Sequence, residues 1–221
     1  MTRVIKTTTT GRGLKKLLLV ALMILSSMTG KAQFNTDRLL MVGQSALYYE
    51  DYVLSIQYFN QVISAKPYLY EPWFYRGLAK FYLDDYQGAE NDCTEALDRN
   101  PFVVSVYELR GLCRIRQDNF AGAVKDYDKA LKYDPENRNL WHNRVLCHIQ
   151  QKEYDVALAQ IDTMLTRWSK NAKVYAMQAE VYMLQKDTTK AVVALDKSIA
   201  IDPYDGSLWS QKAIISMARH Q

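Results

Sequence analysis

The residues best suited to chemistry in this chain of 221 residues are few. His142, Cys147 and His148 fall within one short stretch. The two histidines are six apart, so on a helix they face different directions. Because they face apart, a site that pairs a histidine with Cys147 has no third ligand at workable spacing, and the stretch is not read as a metal site. Cys93, Cys113 and Cys147 are odd in number and form no CxxC pair, which is neither a disulfide framework nor a zinc site. There is no GxSxG, HExxH or GxxxxGK[ST] motif to carry a nucleophile, a metal or a phosphate. The chain is therefore read as non-enzymatic, with no catalytic residue, no cofactor and no metal.

Charge narrows the partners. The formal net charge is +4, but residues 1–32 hold six basic residues and no acid. The remainder carries 22 basic and 24 acidic residues, about −2, so it has no excess of cations with which to neutralise phosphates. Nucleic acid is excluded as a main partner. The basic excess belongs to a leader in which "RGLKK" (12–16) precedes the apolar run "LLLVALMIL" (17–25) and then small and polar residues. This is the pattern of a secretory signal peptide, with cleavage expected after Ala32. Nine strongly apolar residues are too few to span a bilayer. The expectation is a protein outside the cytoplasm, periplasmic or secreted, with no membrane span after cleavage.

The elements that must position any site follow from a repeat. Pro67, Pro101 and Pro135 are evenly spaced. One more step of the same length reaches Ser169, and a second reaches Pro203. Other columns keep the same period: Leu39, Trp73, Tyr107, Trp141, Tyr175 and Trp209; Gly43, Gly77, Gly111, Val145 and Ala179; Tyr52, Tyr86, Phe120, Tyr154 and Thr188; Ser55, Ala89, Ala123, Ala157 and Ala191. Each period contains two runs with apolar spacing of three and four, as in "PWFYRGLAKFYL" and "YQGAENDCTEAL". Each unit is therefore a pair of helices. One pair cannot bury its own apolar stripe, so neighbours must stack.

This register resembles the tetratricopeptide repeat family. The columns match through Trp73, Gly77, Tyr86, Ala89, Ala96 and Pro101 in one unit, and through Tyr107, Gly111, Phe120, Ala123, Tyr127, Ala130 and Pro135 in the next. The resemblance implies an all-α, right-handed solenoid of five helix-turn-helix repeats at 36–69, 70–103, 104–137, 138–171 and 172–205. Residues 206–221 then form a closing helix or a partial sixth repeat. Three departures carry expectations. The column where the family often has glycine reads Glu50, Asp84, Asp118, Lys152 and Lys186, so these turns are not expected to use glycine geometry. Val145, Met164, Ser169 and Thr188 depart from the pattern, so looser packing or an altered twist is expected around 145–190. Cys93 and Cys113 lie where a disulfide between adjacent helices could form, although small core hydrophobes are the simpler reading of both.

In this family the first helices line the groove that holds ligands. The corresponding columns here include Leu40, Gln44 and Tyr48; Phe74, Leu78, Phe81 and Tyr82; Glu108, Leu112 and Arg116; and, further on, His142, Leu146, Lys173, Glu180 and Met183. The ten from Leu40 to Arg116 are the candidate partner-binding residues, centred on Phe74, Leu78, Phe81 and Tyr82, because exposed aromatics mark binding surfaces. The clamp that holds a C-terminal carboxylate in chaperone-binding members needs Lys in the fifth column and Asn in the ninth. Those columns here read Leu40, Phe74, Glu108, His142, Ala176 and Gln44, Leu78, Leu112, Leu146, Glu180, so that ligand is not implied. The expected function is an exported scaffold or adaptor that grips a protein or peptide segment. The alternatives are an accessory subunit of an envelope enzyme or glycan-processing system, a groove filled by the chain's own "QFNTDRLL", and self-association through Ile214 and Ile215.

Overall fold

A computed structural model describes residues 35–218, with side chains to residue 217; the leader at 1–32 and its expected cleavage point lie outside them. The described residues form eleven helices and no strand. The first compact unit runs to Asp85 and holds α1 (35–48), α2 (Tyr52–Ala65) and α3 (Glu71–Tyr82). The second begins at Tyr86 and holds α4 (Tyr86–Arg99), α5 (Val104–Arg116), α6 (Phe120–Tyr133), α7 (Arg138–Gln150), α8 (Tyr154–Arg167), α9 (Ala172–Leu184), α10 (Thr188–Ile201) and α11 (Gly206–Ala218). Within it, each helix packs on the next in chain order, the nearest-neighbour stacking that a repeat chain needs.

The turn within each pair departs from the expectation. Glu50, Asp84, Asp118, Lys152 and Lys186 all adopt left-handed φ, between 58° and 63°. The turns thus keep the glycine geometry without glycine. The cause is the hydrogen bonding that ends each first helix. At the fourth turn, Lys152 N–H donates to Ile149 C=O at 2.9 Å and Glu153 N–H to His148 C=O at 2.9 Å. The same two bonds recur at the other four turns, for example Asp118 to Ile115 at 3.1 Å and Asn119 to Arg114 at 2.8 Å. These are the paired bonds of a Schellman ending, which requires a left-handed residue. At three of the turns the residue after it then caps the next helix: Asp51 accepts from Leu54 N–H, Asn119 from Gly122 N–H and Asp187 from Lys190 N–H, at 3.0–3.1 Å.

The proline column also has a tertiary role. Trp73, Trp141 and Trp209 each donate the indole N–H, and Tyr107 its hydroxyl, to the carbonyl of the proline that precedes them, at 2.9–3.2 Å. A cation on the next turn of the helix lies over each ring: Arg76 at 4.8 Å, Arg110 at 5.7 Å, Arg144 at 4.4 Å and Lys212 at 5.8 Å. Each of these cations also reaches back to the preceding helix, at Asn60, Thr94, Asp128 and Asp196. Loop, ring and preceding helix are thereby tied together at these four places.

Packing does not loosen around 145–190. Val145, Ile149, Ala157, Ile161, Met164, Val174, Met177 and Val181 form one buried cluster, none more than 5% exposed. The reason is compensation in volume across the helix pair. A Cβ on Gly43 would lie 2.7 Å from the Phe59 ring, and one on Gly111 would lie 2.7 Å from the Tyr127 ring. Where the glycine column becomes Val145 or Ala179, the position of that aromatic on the second helix becomes Ile161 or Leu195, and each new pair shares one buried cluster. At the end of the chain, Leu208 and Ile215 of α11 are buried with residues of α9 and α10, while Trp209, Ile214 and Met217 stay exposed.

Candidate functional site

Two clefts concern function, one in each unit. In the first unit, α1 contributes Gln44, Leu47 and Tyr48, the turn Glu50, α2 Tyr52, and α3 Tyr75, Leu78 and Tyr82. They enclose a cleft of about 470 Å³. Tyr52 and Tyr82 stack with ring centres 5.1 Å apart and planes inclined by 18°. Desolvation, then the Glu50 carboxylate and Tyr82, raise the Tyr52 phenol above its ordinary pKa. Four of the candidate residues read from sequence meet here: Gln44, Tyr48, Leu78 and Tyr82.

The others are placed differently. Leu40, Phe74 and Phe81 are half-buried and do not line the cleft. Phe74 packs against the Tyr75 ring at 5.2 Å, and Phe81 against Tyr82 at 6.0 Å. Of the candidate aromatics, Tyr48, 81% exposed, and Tyr82, 54% exposed, are the open ones. In the second unit, Glu108 and Leu112 on α5 are half-buried, and Arg116 is exposed with its guanidinium 5.9 Å above the Tyr86 ring. Burial, then the Asp134 charge, raise the Glu108 carboxyl above its usual range.

In the second unit, a cleft lined by α7, α9, α10 and α11 encloses about 510 Å³. Its floor is apolar: Leu146 from α7, Ala176, Met177, Ala179 and Met183 from α9, Leu195 from α10, and Ile214 and Ile215 from α11. His142, Lys173, Glu180 and Gln211 supply its polar groups. Burial, then Lys173, lower the His142 pKa, so the ring is a neutral imidazole at neutral pH. His142, Leu146, Lys173, Glu180 and Met183 stand in groove columns of the sequence but outside the ten candidates. The side chains of α11 complete this cleft, and the visible signal for them is the apolar pair Ile214 and Ile215.

The titratable clusters elsewhere have structural explanations. Asp126, 2% exposed, accepts from Arg110 Nη2 at 2.7 Å and from Arg114 Nη1 at 2.8 Å, and Arg114 Nε reaches Glu90 at 2.8 Å. Two cations and two anions thus balance in a buried network. His148 Nδ1 is 2.6 Å from Glu153 Oε2. The three cysteines are free and buried, and no disulfide joins Cys93 and Cys113. The neighbouring Cys113 thiol and burial raise the Cys93 thiol, and burial pushes Cys147 up to about 12, so neither is a thiolate nucleophile. Among the described residues, no three His, Cys, Asp or Glu side chains come together as a metal site, and no helix is long and apolar enough to cross a membrane.

Helix pairs stacked at a constant sequence period, with clefts between first helices, define a repeat scaffold. The family model "Tetratricopeptide repeat" matches residues 75–138, 114–172 and 148–206, together more than half of the chain. The chain belongs to the tetratricopeptide repeat family. No curated protein matches it. Among solved structures it is similar to YrrB, described as a TPR protein with an unusual peptide-binding site, at 14% identity and a TM-score of 0.68 over 83% of this chain and 91% of that one. It is similar to MamA from Desulfovibrio magneticus RS-1, at 13% identity and 0.71 over 77% and 97%. The first TPR of Spaghetti, bound to an HSP90 peptide, matches at 24% identity and 0.52 over 53% and 95%. At such identities these likenesses concern the fold.

Proposed function

We propose that this protein is a non-catalytic scaffold that grips a segment of a partner protein in the clefts between its first helices. The observation that carries this reading is the cleft of α7, α9 and α11. Met183 and the exposed Ile214 belong to its apolar lining, which His142, Lys173, Glu180 and Gln211 share. Apolar concavities with a few convergent polar groups are the usual form of a binding site. The peptide-binding site named for YrrB supports the same use of this fold. The test is a displayed peptide library panned on the full chain. Selected peptides should lose binding in Ile214→Glu and Met183→Glu variants that melt like the parent. An empty selection, or peptides indifferent to both changes, would overturn the reading.

The proposal extends to location. The basic stretch 12–16 and the apolar run 17–25 support export, with a mature chain beginning at Gln33. N-terminal sequencing of protein recovered from the producing cell tests this; a chain still carrying residues 1–32 would refute it.

A further inference from the structure

We propose that the tyrosine cleft of α1, α2 and α3 binds a cationic side chain, the arginine or lysine of a partner segment. Its ring faces would hold the cation, with Glu50 as counter-ion. The inference rests on the reading that clefts between first helices take partner segments, and it names the chemistry of one of them.

The lining is aromatic and acidic. Four phenol rings, Tyr48, Tyr52, Tyr75 and Tyr82, line one space, and the faces of aromatic rings attract cations. Among the described residues, Glu50 is the one ionised side chain of the lining, and no lysine or arginine lines it. Residues 35–85 as a whole carry four basic and six acidic side chains, so the surrounding field has the same sign. The neighbouring Asp51 is engaged as the cap of α2.

The next repeat offers an internal comparison. Tyr86 stands one repeat after Tyr52, and Arg116 stands one repeat after Tyr82. In the second unit the guanidinium of Arg116 lies 5.9 Å above the Tyr86 ring. The same register position therefore holds an arginine on a tyrosine where the chain supplies one. In the first unit that position is a second ring, Tyr82, which stacks on Tyr52 and is itself 54% exposed, and no arginine or lysine of the lining supplies a cation. The turn residue agrees. Its column reads Lys152 and Lys186 in the last two repeats but Glu50 here, and the Schellman bonds fix its backbone at the edge of the cleft.

The experiment is isothermal titration of the full chain with a blocked tri-arginine peptide, beside blocked tri-alanine and tri-glutamate peptides. Tri-arginine should bind and the other two should not. Binding should weaken about fivefold in Glu50→Gln and in Tyr48→Ala, the loss of one counter-ion or one exposed ring face. It should be unchanged in the Glu136→Gln variant of the second unit. Glu50 and Tyr48 are both exposed, so these changes leave the fold intact, and matched melting curves check it. Equal affinity for tri-alanine, or tri-arginine binding indifferent to Glu50→Gln, would overturn the inference. So would binding of an oligosaccharide that Tyr48→Ala abolishes while tri-arginine does not bind. If library peptides still require Ile214 while tri-arginine fails, the cation site falls and the scaffold reading stands. If neither binds, both fall.

Discussion

The five left-handed turn residues make a sharp test of how this chain is built. A left-handed conformation costs a residue with a Cβ about 1–2 kcal/mol, and glycine adopts it freely. Glycine also loses more freedom on folding, by about 0.5–1 kcal/mol. Replacing Lys152 by glycine should therefore stabilise the chain by about 0.5–1 kcal/mol net. Nothing else is lost, because Lys152 is exposed and its side chain makes no hydrogen bond or ion pair among the described residues. Lys186 is in the same situation, and a full repeat separates the two, so the gains should add. The double variant should gain about 1–2 kcal/mol, which for a chain of this size raises Tm by about 2–8 °C. Asp84 and Asp118 should gain less, because aspartate tolerates left-handed φ better than lysine. The assay is thermal and urea unfolding followed by circular dichroism, with two controls. Lys152→Ala should change little, since alanine keeps the burden. Gln151→Gly, one residue away in right-handed backbone, should cost about 1 kcal/mol, because glycine relieves nothing there. If Lys152→Gly melts at or below the parent, the left-handed turn is not a source of strain and the reasoning fails.

Four further outcomes follow from particular contacts. Gly111→Val should cost about 2–3 kcal/mol, because its Cβ alone would lie 2.7 Å from the Tyr127 ring; adding Tyr127→Ile, which copies the Val145–Ile161 pair, should recover most of it in a urea melt. Tyr127→Phe should stabilise by about 1 kcal/mol on thermal melting, because the buried hydroxyl has no hydrogen-bond partner among the described residues and the ring is fully enclosed. His142 has a lower pKa folded than unfolded, so the unfolded chain takes up the proton first. Its contribution should be intact above about pH 6.5 and lost as pH falls from there through the lowered folded value, and His142→Gln should flatten this part of the stability–pH curve. A thiol reagent should count three cysteines in denaturant without reductant and almost none in the native chain; a count of one would mean that Cys93 and Cys113 have been joined.

The repeat is legible because its signals are local. Second helices begin at Tyr52, Tyr86, Phe120, Tyr154 and Thr188, at equal intervals, and the proline column marks the ends of the pairs. The rail of Arg76, Arg110 and Arg144 has the same period and is visible in the sequence. Its acceptors on the preceding helix are not, because Asn60, Thr94 and Asp128 differ in type. The turn column misleads because residue type does not forbid a geometry that hydrogen bonds at the helix end impose. Val145 and Met164 mislead for a similar reason: the column shows each residue alone, while packing depends on the residue across the pair.

Apolar periodicity and helix breakers act within a few residues, and they suffice to specify a stack of helix pairs and the span of each helix. Which groove columns stay open is a tertiary matter. Phe74 and Phe81 turn against neighbouring rings, while Tyr48 and Tyr82 are open to solvent. The apolar cleft is completed by Ile214 and Ile215 of α11, which lie far along the chain from His142 and Leu146 in the same lining. Exposure is a property of what packs alongside, and a single column of a repeat does not contain its neighbours.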